Sequence, residues 1–269
     1  NGTDVNRRGS KGKKRTALME AASQGNESTV NILLEAGADI HCGDEDNDTV
    51  LHIAAAAGYD VSVKTFLNRG ANVNIFGRKK WTPLILAAYM GHEKTVNILF
   101  NAGASITGAD GFNVLHGASA GGHDDLLNSL LNRGININIT DFGERTALMH
   151  AAIEGHASTV NCLMASGAKT KNETLFGYNV LHLAAIYLRE NVVEALLTHG
   201  FDVNVRSRRG ATALQIAVEM KLWGMAKFLI RRGADFMSKD QFGQNILQIA
   251  TECQNDDVIK TMDIISLIL

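Results

Sequence analysis

Glycine recurs at Gly37, Gly70, Gly103, Gly134, Gly167, Gly200 and Gly233, at intervals of 33 residues broken once by an interval of 31. A fixed period of this length marks a repeat array, in which each unit is a small element unable to bury its apolar face alone. Twelve residues after most of these glycines stands Thr or Asn, giving eight origins at Thr16, Thr49, Thr82, Asn113, Thr146, Asn179, Thr212 and Asn245. Leu follows two residues later in every unit, at Leu18, Leu51, Leu84, Leu115, Leu148, Leu181, Leu214 and Leu247.

Within each unit the apolar residues recur at helical spacing. Small pairs such as Ala54 and Ala55 or Ala184 and Ala185 come five and six residues after the origin, and Leu pairs such as Leu33 and Leu34 or Leu196 and Leu197 come near the end. Each unit therefore reads as two short helices. The alanines let the helices approach closely, while the Leu pairs and Val30, Val63, Val96, Val160 and Val193 fill the seam between units. Thr or Asn at the origin is a good N-cap for the first helix. The single proline, Pro83, directly follows a cap, where its missing N–H costs nothing. The periodic glycines suit left-handed helix ends, Gly25, Gly58, Gly91, Gly122 and Gly155 separate the two helices, and Gly111, Gly177, Gly210 and Gly243 sit two before a cap. These sets explain 16 of the 26 glycines, which would otherwise be puzzling in a helical chain.

Composition narrows the class. With 45% apolar residues in 269, disorder and collagen are excluded. A formal net charge of −2 gives no overall pull toward nucleic acid or an anionic membrane. Cys42, Cys162 and Cys253 are odd in number, far apart and without metal-ligand spacing, which indicates a reducing compartment, the cytoplasm or alternatively the nucleus. The longest apolar stretch, Ile264 to Leu269, is far too short to span a bilayer, so no membrane insertion is expected.

Thr82-Pro83-Leu84, Thr49-Val50-Leu51-His52, Gly91-His92 and Gly37-Ala38-Asp39 resemble the ankyrin repeat. The resemblance implies an all-α solenoid of stacked helix-turn-helix units with projecting hairpin loops, or fingers. Residues 16–269 divide into eight such repeats, with caps at 16, 49, 82, 113, 146, 179, 212 and 245. Residues 1–15 read as the tail of a preceding repeat plus a long basic finger, Arg7 to Arg15. The apolar end at Ile264–Leu269 and this tail suggest a piece of a longer array, whose other domains would be partners. The fourth unit begins two residues early, predicting a shorter finger between Ile106 and Phe112, and Leu188 and Lys221 replace the glycine between helices in units six and seven. The eighth unit lacks its closing Gly-Ala-Asp, and Asp263 falls where an apolar residue is expected.

No nucleophile motif, phosphate loop or metal-ligand spacing occurs, so the chain reads as a non-enzyme without cofactor or metal. His52, His116, His150 and His182 are expected at one recurring place in the first helix, and His92, His123 and His156 after the inter-helix turn, leaving only His41 and His199 unassigned. Asp44, Glu45, Asp46 and Asp48 read as a solvated acidic finger, since they lack the ordered positions and distal Glu of a calcium loop.

In the family such arrays usually bind proteins, and the groove positions lie four, three and one before the cap and seven, eight and twenty after it. Eight of the 16 aromatics fall there, against roughly three expected by chance. The resulting stripe is Trp81, Tyr89, Met90, Phe112, Phe142, Arg145, Ile153, Phe176, Tyr178, Ile186 and Tyr187. Trp, Tyr and Arg are favoured at hot spots because they join large area to a polar handle. Phe142, Phe176 and Phe242 have the alternative of packing beside the turn glycine. Lys13, Arg15, Arg78, Lys79, Arg208 and Arg209 form a basic rim. The expectation is a scaffold that binds another protein or peptide in the groove. The alternative is a small anionic ligand or oligonucleotide, because Thr212–Leu222 and Arg231-Arg232-Gly233-Ala234 are similar to the ankyrin domain of the 2-5A-dependent ribonuclease. Bases would stack on Trp81 or Phe112, and nucleic acid in general is not expected to bind. Asp202-Val203-Asn204 resembles the loop that asparaginyl hydroxylase modifies, making Asn204 a candidate, although Asn there also simply stabilises a turn.

Overall fold

The structure is a computed structural model that describes residues 4–9 and 13–253, the last three by backbone only. It forms two compact units that divide between Ile135 and Asn136. The first holds four helix pairs: α1 (Ala17–Ser23) and α2 (Glu27–Glu35), α3 (Val50–Ala57) and α4 (Asp60–Asn68), α5 (Pro83–Tyr89) and α6 (Glu93–Asn101), α7 (Val114–Gly121) and α8 (Asp124–Asn132). The second holds α9 (Ala147–Glu154) and α10 (Ala157–Ala165), α11 (Val180–Ile186) and α12 (Glu190–Thr198), α13 (Ala213–Glu219) and α14 (Trp223–Arg231), then α15 (Ile246–Cys253). Gly2, Thr3, Ser10–Gly12, Asp263 and the Ile264–Leu269 end lie outside the described residues.

Helices of seven to nine residues are too short to be stable alone in water. They persist because the first helices stack face to face, α1 on α3 on α5 on α7 and, in the second unit, α9 on α11 on α13 on α15. The seven Leu from Leu18 to Leu214 are each at most 1% exposed, as are nine of the ten paired alanines. Burying one such Leu contributes about 1.5–3 kcal/mol. Closest approach falls between α5 and α7, where Gly117 and Gly121 present bare backbone: a Cβ on Gly117 would lie 3.0 Å from the Ile85 carbonyl, and one on Gly121 would collide with that of Tyr89. Val30, Val63, Val96, Val160 and Val193 are fully buried in the seams.

Every first helix starts on an extended cap residue at the predicted Thr or Asn from Thr16 to Thr212. The cap N–H, which the helix cannot use, is accepted three residues on by His52 Nδ1 (3.1 Å), His116 Nδ1 (3.1 Å), His182 Nδ1 (3.2 Å), Gln215 Oε1 (2.8 Å) and Gln248 Oε1 (2.9 Å). His150 departs from this scheme. It stands one residue later, after Met149, and its ring reaches Asp141 instead. His92 and His123 do follow the inter-helix turn, and each donates from Nε2 to a carbonyl of the preceding repeat, Ala56 and Tyr89.

Sixteen glycines have positive φ among the described residues, and they are the sixteen of the three periodic sets. The backbone requirement is wider than the glycines. Two residues before the cap, Lys14, Asn47, Lys80 and Glu144 are also left-handed, and between the helices Leu188 (φ 59°) and Lys221 (φ 60°) adopt the conformation that glycine takes elsewhere. The fold imposes the turn, and side chains that disfavour it comply at a cost of about 1 kcal/mol. The short fourth finger keeps the common tip, with Gly108 N–H bonding the Phe112 carbonyl, so its two missing residues are lost before Gly108.

Leu188→Gly, at a residue 56% exposed, is expected to raise the chemical denaturation midpoint by about 0.5–1 kcal/mol equivalent of stability. Gly58→Ala should destabilise by more than about 1 kcal/mol, because φ is 72° and the new Cβ would meet His92 Nδ1 at 2.5 Å. Urea unfolding followed by circular dichroism measures both.

Candidate functional site

Seven fingers close on one backbone hydrogen bond, donated five residues before the cap and accepted by the carbonyl just before it: Asp44 to Asp48, Gly77 to Trp81, Gly108 to Phe112, Asp141 to Arg145, Thr174 to Tyr178, Ser207 to Ala211 and Asp240 to Gln244. Where the first of these residues is Asp, Oδ1 also accepts two N–H groups of the turn, as Asp141 Oδ1 does from Gly143 (2.8 Å) and Arg145 (2.9 Å). The turn is thereby fixed without the side chain of the residue before the cap. That position is free to differ from repeat to repeat, and the differences decide what each unit presents.

In the first unit this surface is largely used up within the fold. Trp81 and Phe112 stack at 4.8 Å with planes 13° apart, Tyr89 packs tilted against Trp81 at 5.2 Å, and the Lys79 ammonium lies 4.8 Å from the indole centre. Trp81 is 8% exposed and Phe112 6%, so both rings are largely covered within the fold. The basic and acidic fingers meet each other: Lys13 pairs with Asp46 (2.8 Å), Lys14 with Glu45 (2.8 Å) and Arg15 with Asp44 (3.4 Å). Asp44 and Asp48 are buried, and Asp48 accepts the Arg78 N–H at 2.9 Å. The expected solvated acidic face is in fact an inter-finger clasp, because the neighbouring finger brings cations within reach. The hydrogen bond from Lys13 holds the Asp46 carboxyl below its usual range. Met90 and an edge of Trp81 line a hollow of about 250 Å³ with Lys13, Arg15 and Arg78.

The second unit is different. Arg145, Ile153, Phe176, Tyr178, Ile186 and Tyr187, all chosen from the sequence, line a single cavity of about 360 Å³. Ile153 is buried and forms its floor, whereas Phe176 (71% exposed) and Tyr187 stand open. Phe142 and Phe242 project at finger tips, so the three phenylalanines that had packing as an alternative are exposed. Arg208 pairs with Glu173 at 3.3 Å, and Arg209 lines a neighbouring cavity. Asn204 Oδ1 accepts the Asp235 N–H at 2.7 Å, repeating the links from Asn74 to Ser105 and from Asn138 to Lys169. The amide at this place ties one repeat to the next. Of the two unassigned histidines, His41 is exposed and His199 Nε2 contacts Asn161 Oδ1 at 3.1 Å.

Sequence reading missed Asp141 and His150. Asp141 Oδ2 accepts from Arg145 Nε (2.9 Å) and from His150 Nε2 (3.0 Å), so its carboxylate carries four hydrogen bonds. Burial pushes this carboxyl up, but the hydrogen bond from His150, the Arg145 N–H and the Arg145 guanidinium outweigh it, holding the group well below the usual range. The signal was present in Asp five residues before the cap at 44, 141 and 240, and in the one-residue displacement of His150.

Sequence models of ankyrin repeats in three copies match residues 1–76, 18–110, 63–141, 115–207 and 148–240. The chain belongs to the ankyrin-repeat family, and its fold is the ankyrin-repeat solenoid. Among solved structures it is similar to the crystal structure of the human ASB11 ankyrin repeat domain, with 26% identity and a TM-score of 0.66 over 82% of this chain and 99% of that one. No curated protein sequence matches it. Ankyrin repeats are generally protein–protein interaction scaffolds and typically non-catalytic. No helix among the described residues is long and apolar enough to cross a membrane.

Two capping histidines, His182 and His52, make stability pH-dependent. Burial lowers His182 from 6.5 to about 4, against the pull of the Val205 and Ala211 backbone, and lowers His52 against the pull of Asp48. Because unfolded His182 takes up a proton near 6.5 while the folded ring stays neutral to about 4, its share of stability is complete above 6.5 and drains as pH falls to 4. The loss attributable to this ring is about 3 kcal/mol. His182→Gln, which installs the residue type that Gln215 and Gln248 place at the same position, should flatten the acid limb. Thermal melts of both proteins at pH 7 and about pH 4.5 give the difference.

Proposed function

We propose that the chain is a non-catalytic interaction scaffold that binds a partner protein or peptide in the groove, and that docking centres on the cavity of the second unit. The observation that carries this reading is the convergence of Arg145, Phe176, Tyr178 and Tyr187 on one cavity with two of these aromatics left exposed. Exposed rings beside a cavity are unfavourable in water and are the groups that contribute most when a partner covers them. Trp81 and Phe112, although at equivalent places in their repeats, act here as packing residues, which also weakens the oligonucleotide reading because base stacking needs a free ring face. Three scattered cysteines suit a reducing compartment, the cytoplasm or nucleus.

The double substitution Phe176→Ala with Tyr187→Ala should weaken partner binding at least about tenfold while leaving helicity and melting temperature nearly unchanged. Trp81→Ala should do the reverse, lowering stability by about 3 kcal/mol or more and leaving affinity intact. Binding to a captured partner, measured by biolayer interferometry beside thermal melts, separates the two. Unchanged affinity in the double variant sinks the reading.

A further inference from the structure

The cavity of the second unit has one charged residue in its lining, Arg145, among walls that are otherwise apolar, aromatic or hydroxylic. Arg145 is not a loosely solvated side chain. Its Nε donates to Asp141 Oδ2 at 2.9 Å, and Asp141 is itself anchored by the Gly143 and Arg145 N–H groups and by His150. The hydrogen bonds from Gly143, Arg145 and His150 hold Asp141 to its own finger and helix, with its side chain 3% exposed, so it serves as a bracket that aims the guanidinium. Only Nε is so engaged, and no other hydrogen bond of the Arg145 side chain is seen among the described residues. The Nη edge of a planar, aimed guanidinium matches the two oxygens of a carboxylate. Side-chain exposure of 42% leaves that edge reachable.

The surroundings say what carries the carboxylate. Phe176, Tyr187, Leu175, Ile153 and Ile186 supply apolar walls within the same cavity, so the group beside the carboxylate is large and apolar. A second cavity of about 550 Å³ shares Tyr178 with the first and continues past Arg209, Glu219 and Phe242. The two adjoin at Tyr178 and together span successive repeats of this unit. Two adjoining cavities on successive repeats suit an extended segment that places side chains in both.

We propose that this pair of cavities in the second unit binds an extended segment of a partner protein in which Asp or Glu stands beside a large apolar residue, with Arg145 taking the carboxylate and Asp141 and His150 as positioning residues. This rests on the docking reading above and adds the chemistry of the occupant. The test selects a phage-displayed library of random twelve-residue peptides on the full chain, on Arg145→Gln and on the Phe176→Ala, Tyr187→Ala double variant. A peptide from the wild-type pool is then compared with its amide counterpart (Asp→Asn or Glu→Gln) by fluorescence anisotropy. Expected are acidic residues enriched next to Phe, Leu, Met or Trp in the wild-type pool, and at least tenfold weaker binding of the amide peptide. Arg145→Gln should abolish that difference, and Arg145→Lys should keep part of it as a point charge. A wild-type pool without acidic enrichment, equal binding of the two peptides, or the same acidic preference on Arg145→Gln overturns the proposal. If an apolar pool is recovered and lost on the double variant but shows no acidic preference, the docking reading stands and the carboxylate assignment falls. If no pool depends on Phe176 and Tyr187, both fall.

Discussion

A helix of seven residues such as α1 makes too few internal hydrogen bonds to offset its conformational entropy, so everything in this chain depends on the face each helix pair shares with the next. The alanine pairs and the Leu two residues after each cap exist to make that face flat and dry. At α5 against α7, Gly117 and Gly121, beside Ala118 and Ser119, bring bare backbone against the neighbouring helix. Stability in such a stack is a sum of repeat terms and nearest-neighbour terms, so a fault in one repeat is felt mainly by its neighbours.

The stack also fixes backbone geometry that local sequence would not choose. Leu188 and Lys221 are left-handed because their helices must turn where Gly58 and Gly155 turn, and Glu144 is left-handed because its finger must close as the one at Gly177 closes. Redundant devices make this affordable: a cap, a reciprocal acceptor three residues on, a closing finger bond and, in four repeats, an Asn that bonds the next repeat's backbone. With the frame held so many ways, the side chain just before each cap carries no structural duty in the closure. A change there leaves the closing bond intact, and its cost depends on what the side chain packs against, large at Trp81 and Asp48.

The same position has opposite fates in the two units. Trp81 and Phe112 lie on consecutive fingers and stack on each other, which buries both rings and removes them from the surface. Arg145 precedes Tyr178 in the same relation, but Asp141 draws its guanidinium to its own finger, and Tyr178 meets the ring of His182 in its own repeat, 6.2 Å away. The cavity beside Ile153 and Tyr187 stays open as a result. Positional counting along the repeat located these residues but could not tell packing from presentation, since both place a large side chain at the same register. In the same way, four neighbouring acids looked solvated until the finger before them was seen to bring Lys13, Lys14 and Arg15 within 2.8–3.4 Å.

By itself the sequence determined the repeat, its register, its caps and its core, because these depend on contacts that recur every 33 residues and leave the same mark each time. It also pointed to the six residues that line the second unit's cavity. Only the tertiary structure decided which aromatics are buried, which charges cancel across fingers, and that Asp141 and His150 hold Arg145. Those outcomes depend on pairs of side chains brought together by stacking and turn closure, and a pair that occurs once in the chain leaves no period to read.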